Sequence, residues 1–119
     1  MANLSISPGV LHITAMQGKT WSIVVTVKDS AGQLFDLTGY SARWQVRSTV
    51  GTKPVVLDLQ VGSGITIDPA GLIQITATPE QTAAINPSNY RHEIELVEPD
   101  GTVPPFLAGN LLVQSEVVK

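Results

Sequence analysis

The feature that most constrains the fold of this chain is a period-two alternation of apolar and polar residues in several short runs. In residues 21–28, Trp, Ile and two Val residues alternate with Ser, Val, Thr and Lys. The same period recurs at residues 41–47, 55–61, 73–77 and 90–97. Successive side chains of a β-strand point to opposite faces of a sheet, so each run predicts a strand with one buried face and one largely polar face. The chain is therefore predicted to be all-β and antiparallel.

Turn-forming sequences separate these runs. Asp-Ser-Ala-Gly at residues 29–32 and Glu-Pro-Asp-Gly at residues 98–101 each end in a glycine that can supply the positive φ of a tight turn. Residues 51–54 and 62–64 are predicted to be further loops. One segment departs from the β pattern: Thr78 is a good N-cap, Pro79 suits the first helical position and Gln81 completes a capping box. It predicts a short helical crossover at about residues 79–85.

Short strands at this spacing, joined by one helical crossover, predict an immunoglobulin-like, two-sheet antiparallel β-sandwich. Its length of 119 residues suits one domain, residues 1–119. Tyr90, at the start of a late strand, is expected to place its hydroxyl group on a corner loop. The predicted core comprises Trp21, Ile23, Val25, Trp44, Val46, Leu57, Ile75, Ile94 and Leu96.

Composition removes several classes of function. The chain has no cysteine, which excludes disulfide frameworks, zinc ribbons and thiol catalysis. Its net charge is −3 with scattered basic residues, so we expect no nucleic-acid partner. No signal peptide and no membrane-spanning run are recognisable, so we expect a protein that is made and kept in the cytosol, unless it leaves as part of a larger assembly, and that does not associate with a membrane. Charged residues make up only 14% of the chain, which indicates either a surface partly covered by a partner or simply a small, Ser- and Thr-rich domain.

No residue pattern in the chain predicts catalysis. His12 and His92 lie in separate strands without metal-ligand spacing, and His92 shares the parity of apolar residues, so a packed, hydrogen-bonded histidine is expected. Glu93 and Glu95 share one strand face, but Arg91 beside them favours an ordinary solvated surface over acid–base chemistry or calcium binding. No Gly-x-Ser-x-Gly elbow is present. We therefore predict no enzyme activity, cofactor, metal or small-molecule substrate.

Seven segments of the chain resemble a known family: residues 17–21, 27–32 and 36–43, followed by residues 71–75, 82–84, 90–96 and 109–113. Together they are similar to the N-terminal domain of the phage baseplate upper protein family, a module of tailed-bacteriophage structural proteins. Within them, Asp36, Thr38, Gly39 and Tyr40 are predicted to form a structural corner in which Asp and Thr bond backbone amides and Gly permits the turn.

The resemblance implies a non-enzymatic virion structural protein of a tailed bacteriophage, assembled in the host cytoplasm and located in the tail, the baseplate or the fibre-attachment region of the virion. Its partners would be other virion proteins: tail, baseplate, fibre or major capsid protein. A capsid decoration (cement) protein is the first alternative, because small β domains suit capsomer junctions. A glycan-binding module is the second, although Trp21 and Trp44 have the parity of core residues rather than of an exposed stacking platform.

The two ends of the chain are unusually apolar. Leu4, Ile6, Val117 and Val118 stand where terminal residues are ordinarily polar, which makes them candidate interface residues. We expect residues 1–9 and 111–119 to contact neighbouring chains or complete a neighbour's sheet edge, in a homo-oligomer such as a trimer or a ring, or in a docked complex. The alternative is that both ends pair within their own sheet.

Overall fold

The computed structural model describes residues 9–29, 31–49, 54–104 and 106–115. The nine strands found there are β1 (Gly9–Val10), β2 (Ile13–Met16), β3 (Trp21–Thr26), β4 (Ser41–Ser48), β5 (Val55–Val61), β6 (Gly64–Asp68), β7 (Leu72–Ala77), β8 (Ser88–Val97) and β9 (Leu107–Gln114), with one helix, α1 (Pro79–Ala83). The predicted all-β class is thus confirmed. Among these residues no helix has the length and apolarity that a bilayer crossing requires.

The strands hydrogen-bond in the order β1-β9-β8-β4-β5-β6-β7-β3, and β2 follows β1 along the same edge of β9. Strands β4, β8 and β9 form the long antiparallel centre, whereas β1 and β2 run parallel to β9. Strand β3 lies at the opposite end, antiparallel to β7. The described strands therefore form one sheet, which curls into a half-barrel around the core.

The predicted sandwich of two separate sheets is not confirmed, and the junction between β5 and β6 gives the physical reason. The Ser63 amide donates to the Gln60 carbonyl at 2.8 Å, and Gly62 and Gly64 adopt positive φ angles of 87° and 100°. Gln60 then aligns with Gly64, so β-pairing continues through a turn that would otherwise separate two layers. The sequence pattern marked residues 62–64 as a loop and missed the short strand that follows them.

The core has two tryptophans at its centre, Trp21 and Trp44, whose rings pack edge to face with centroids 6.5 Å apart. Seven of the nine predicted core residues are buried: Trp21, Trp44, Val46, Leu57, Ile75, Ile94 and Leu96. Ile23 and Val25 point to the core but are only half-buried. These two residues therefore join the predicted core only in part, because β3 is an edge strand and no described strand pairs with its far edge.

The predicted crossover is confirmed as α1, which ends slightly earlier than expected. The Thr78 hydroxyl accepts from the Gln81 amide at 3.3 Å, and the Gln81 side chain accepts from the Thr78 amide at 2.8 Å. These two bonds are the predicted capping box. Farther along, the Tyr90 hydroxyl donates to the Asn86 carbonyl at 2.6 Å, as expected for a tyrosine on a corner loop.

Candidate functional site

The outer face of β4, β5 and β8 carries the carboxylates that the sequence singled out. Glu93 and Glu95 lie opposite Gln45 and Arg43 on β4, around a shallow cavity of about 60 Å³. Arg43 is engaged elsewhere: its Nε and Nη2 donate to the two Asp58 oxygens at 3.0 and 2.6 Å.

The bidentate pair has the electrostatics of a surface ion pair. The hydrogen bond from Arg43 lowers the pKa of Asp58, and the same bond raises the pKa of Arg43. The two side chains are 49% and 35% exposed, so solvent screens their attraction. Among the described residues no group of three or more His, Asp or Glu side chains has a metal-binding arrangement. This face therefore has the properties of a solvated sheet surface.

Two turns that carry acidic residues use their carboxylates to hold the backbone. The Asp29 side chain accepts from the amides of Ala31 and Gln33 at 2.9 and 3.0 Å. In the predicted corner, Asp36 accepts from the Thr38 amide and hydroxyl at 3.0 and 2.6 Å, and the hydroxyl bond lowers the pKa of Asp36. These oxygens are satisfied by backbone and hydroxyl donors, which is a structural role.

The corner continues into the core. Gly39 adopts a φ of 81°, and the Tyr40 ring packs edge to face on Phe35 at 5.8 Å. Burial, together with the charges of Glu98, Asp100 and Asp36, raises the pKa of Tyr40. Leu37, between Asp36 and Thr38, is fully buried. The residues that carry the sequence resemblance thus shape a bend of the scaffold.

His92 is the most buried titratable side chain that the structure describes, at 3% exposure. Its Nδ1 accepts from the Trp44 indole N–H at 3.1 Å, and its Nε2 lies 2.5 Å from the Leu11 carbonyl oxygen. This arrangement requires the neutral tautomer with a proton on Nε2. Burial lowers the pKa of His92, although the bond to Leu11 opposes that shift. The expected packed, hydrogen-bonded histidine is confirmed.

The partner of His92 is the link between β1 and β2. Leu11 lies above Gly109 of β9, and a Cβ atom at that glycine would collide with the Leu11 carbonyl. The Leu11 amide donates to the Ala108 carbonyl at 2.9 Å, and the Asn110 amide donates to His12 Nδ1 at 3.1 Å. The link between the two N-terminal strands is therefore fixed to the sheet in two ways: His92 bonds to the Leu11 carbonyl, and Gly109 leaves room for that carbonyl where a larger residue would collide with it.

An open seam, defined here as the space between the facing edges of β2 and β3, is bordered on both sides by strand edges that no described strand pairs with. Strand β2 bonds to β9 on one side and β3 bonds to β7 on one side, and no described strand pairs with their other edges. A groove of about 310 Å³ lies between them, and its lining consists of the apolar residues Ile13, Ala15, Met16, Trp21, Ile23 and Trp44 and the polar residues Thr14, Lys19, Thr20 and Ser22. Six of its ten lining residues are therefore apolar, and the single charged one, Lys19, lies in the turn between the two strands.

One end of the seam is rigidly closed. Residues 17–20 connect β2 to β3, and the Trp21 indole N–H donates to the Met16 carbonyl at 2.8 Å. Helix α1 supports this turn: the buried Thr82 hydroxyl donates to the Lys19 carbonyl at 2.8 Å, and Gln17 Nε2 donates to the Ala83 carbonyl at 3.0 Å. The sequence did not reveal the seam, because the alternation in residues 21–28 is the same for an edge strand and a central one.

The candidate interface residues Leu4, Ile6, Val117 and Val118 lie outside the described residues. The adjoining segments are described: β1 and β2 pair with β9, and Leu111 and Val113 are buried there. Residues 9 and 111–114 therefore pair within their own sheet, which was the alternative to contacts with a neighbouring chain. The predicted oligomer remains a prediction.

Comparisons with known proteins give a fold likeness. No family model matches the chain, and no curated protein matches it. Among solved structures, it is similar to part of a candidate glycoside hydrolase from Bacteroides vulgatus (TM-score 0.52, 8% identity, 89% of this chain but 17% of that one). It is also similar to the Lin-41 filamin domain (0.50, 16% identity, 85% and 82%) and to the N-terminal domain of phage TP901-1 ORF48 (0.49, 11% identity, 89% and 98%). At these identities the first two show the β fold alone.

Proposed function

We propose that this chain is a non-enzymatic structural subunit of a tailed-bacteriophage virion, in the tail, the baseplate or the fibre-attachment region. The observation that carries the proposal is the uncharged, unpaired edge of β3 beside an apolar groove. An exposed strand edge is a template for pairing with another chain, and proteins that stay alone blunt such edges with lysine, proline or bulges. A subunit that functions by assembly keeps an open strand edge, because the edge is where the next chain pairs.

The polar side chains add support to an assembly role. In the described part of the chain every buried side-chain nitrogen or oxygen has a hydrogen-bond partner, so none is left aimed into a pocket for chemistry. The motifs that resemble the phage module, such as Asp36 with Thr38, hold turns. Their role as scaffold fits a module that is reused in virion proteins, where the surface rather than a pocket determines the partner.

The alternatives differ in what they require of the surface. A glycan-binding module ordinarily stacks sugars on exposed aromatic rings, and here all six aromatic residues are described, five of them buried and Tyr40 half-buried. A capsid decoration protein needs only a rigid β domain whose strand edges can pair with another protein, which this fold also provides. Position in the particle separates the tail and capsid alternatives.

The test is to locate the chain in purified phage particles. We expect mass spectrometry of washed virions to detect it in stoichiometric amounts, and antibody labelling or cryo-electron microscopy to place it at the tail. Labelling over the capsid faces would replace the tail proposal with the cement alternative. Absence from washed particles that retain their tails would refute both virion functions.

A further inference from the structure

We propose that the open seam is a strand-acceptor site whose occupant is residues 3–7 of a second copy of this chain. The inference rests on the proposed function, since it names the contact through which such a subunit would assemble. It is carried by three features of the seam: unpaired main-chain groups, a half-buried apolar lining and the absence of any charged side chain on β3.

The main-chain groups that face the seam follow from the pairing of β3 with β7. The Val27 amide donates to the Gly71 carbonyl at 2.7 Å, and antiparallel strands alternate between bonded and non-bonded positions. The N–H and C=O groups of Ser22, Val24 and Thr26 therefore point away from β7. Another extended main chain satisfies such a row of alternating donors and acceptors with a matching row of its own.

The side chains of the seam specify an apolar occupant. Ile23 is half-buried, whereas its cross-strand neighbour Ile75 is fully buried on the same face. On β2, Ile13 and Ala15 are also only half-buried while they pack against the core. An added strand that turned aliphatic side chains inward would complete this part of the core and remove the remaining apolar surface from water.

A segment with that chemistry is present in the chain. Residues 3–7 read Asn-Leu-Ser-Ile-Ser, with Leu4 and Ile6 alternating with serines and no charge. The other stretches outside the described residues, 50–53 and 116–119, each contain a lysine. Residues 3–7 therefore match both the period and the polarity that the groove requires.

The length of the chain determines which copy supplies the segment. Gly9 is already paired with Leu107 in β1, so a reversal into the same molecule has to take place before it. A two-residue hairpin loop at residues 7–8, the shortest common connection, would align residue 6 with Gly9 and residue 3 with His12. That segment ends before Ile13, where the groove begins. Its own residues 3–7 thus fall short, and a second copy is required.

The first test is the assembly state of the full chain by sedimentation and light scattering. We expect wild type to self-associate, and the double variant Leu4→Asp/Ile6→Asp to sediment as a monomer that still unfolds in one cooperative transition, with a melting temperature that no longer depends on protein concentration. The matched control Ser5→Asp/Ser7→Asp adds the same charge to the same segment at the opposite parity and should keep most of the association. Wild type that stays monomeric at millimolar concentration, or equal loss in both double variants, would overturn the proposal.

The acceptor edge is tested separately. Val24 is 59% exposed and its N–H faces the seam, so Val24→Pro removes a donor from that edge while every bond to β7 is kept. We expect Val24→Pro to abolish association, and Val103→Lys, a control at an exposed valine (48%) in the loop before β9, to leave it intact. Association that survives Val24→Pro in a folded protein would refute β3 as the acceptor.

Cysteine cross-linking identifies the occupant, because the native chain contains no cysteine. Chains with Ile6→Cys, mixed with chains with Ile23→Cys and oxidised, should form a disulfide-linked heterodimer, whereas Ser5→Cys with Ile23→Cys should not. A link formed within single molecules of the Ile6→Cys/Ile23→Cys double variant would show the chain's own segment in the groove and overturn the proposal. Monomeric protein found in virions refutes this inference alone, and seam-linked oligomers absent from virions refute the proposed function alone.

Discussion

Replacement of His92 by leucine should destabilise the fold strongly, although the two side chains are similar in size. His92 accepts from the Trp44 indole and bonds to the Leu11 carbonyl, and both partners lose their bond in His92→Leu. A buried polar group left without a partner costs about 1–3 kcal/mol, or roughly 2–6 kcal/mol for the two. Burial of the more apolar leucine offsets about 1–2 kcal/mol of this. We expect a net loss of about 3 kcal/mol in the free energy of unfolding.

The pH dependence of stability provides an independent signature of the same residue. Burial holds the pKa of His92 below its usual 6.5, and the charges of Arg91 and His12 act in the same direction. As the pH falls, the unfolded chain binds a proton before the folded one, so stability is fully present above about pH 6.5 and is lost toward the lower folded pKa. The slope is at most about 1.4 kcal/mol per pH unit.

Two variants and one buffer series separate these effects. His92→Gln can accept from Trp44 and donate to Leu11 without titrating, so it should keep part of the stability and lose the slope. The lowered pKa values of Asp36, Asp58 and Asp100 affect stability only near and below their usual 3.8. Urea unfolding followed by tryptophan fluorescence between about pH 7 and pH 5 therefore isolates the histidine. Equal slopes in wild type and His92→Gln, or a His92→Leu variant as stable as wild type, would refute the account.

Three further substitutions test other parts of the structure by chemical unfolding. Gly109→Ala should lower the free energy of unfolding by about 2 kcal/mol and speed amide exchange in β1 and β2, because its Cβ meets the Leu11 carbonyl. The control is Gly101→Ala, where the space is open but φ is 90°; it should leave amide exchange in β1 and β2 unchanged. Thr78→Ala removes one bond of the capping box and should cost about 1 kcal/mol, with Thr66→Ala as an exposed strand control. Ile75→Ala should lower the free energy of unfolding by about 4 kcal/mol, and Ile23→Ala should lower that of the monomer clearly less, because Ile23 is only half-buried. Equal losses would mean that another part of the chain covers β3.

Local signals in the sequence predicted the parts of the fold that depend on near neighbours. Thr78 with Gln81 predicted the start of α1, because both cap bonds form within one turn of chain. The alternating runs at residues 41–47 and 90–97 predicted the burial of Trp44 and Ile94, and the prediction holds because both residues lie in central strands. Strand order is a property of pairs distant in sequence. Neither the parallel pairing of β2 with β9 nor the edge position of β3 leaves a mark in its own residues.

The same distinction explains why the seam and the histidine link were missed. Gly109 looks like any glycine in a strand until Leu11 is found above it, almost a hundred residues earlier in the chain. His92 has the parity of a core residue, which predicts burial but not the two partners that fix its tautomer. Signals for the histidine link exist, a glycine and a histidine within strand patterns, but their meaning depends on contacts with Leu11, which is distant in the chain.

These two features bear on each other through β2. His92 and Gly109 hold the chain at Leu11, just before β2 begins, and helix α1 supports the turn in which β2 ends. The seam is therefore bounded by a strand that is fixed at both ends, rather than by a loose terminal segment. A rigid acceptor loses little conformational entropy when a strand is added, so more of the hydrogen bonding and burial appears as binding free energy. The cost of ordering falls on the incoming segment alone, which is the arrangement expected when assembly has to give one register and one geometry.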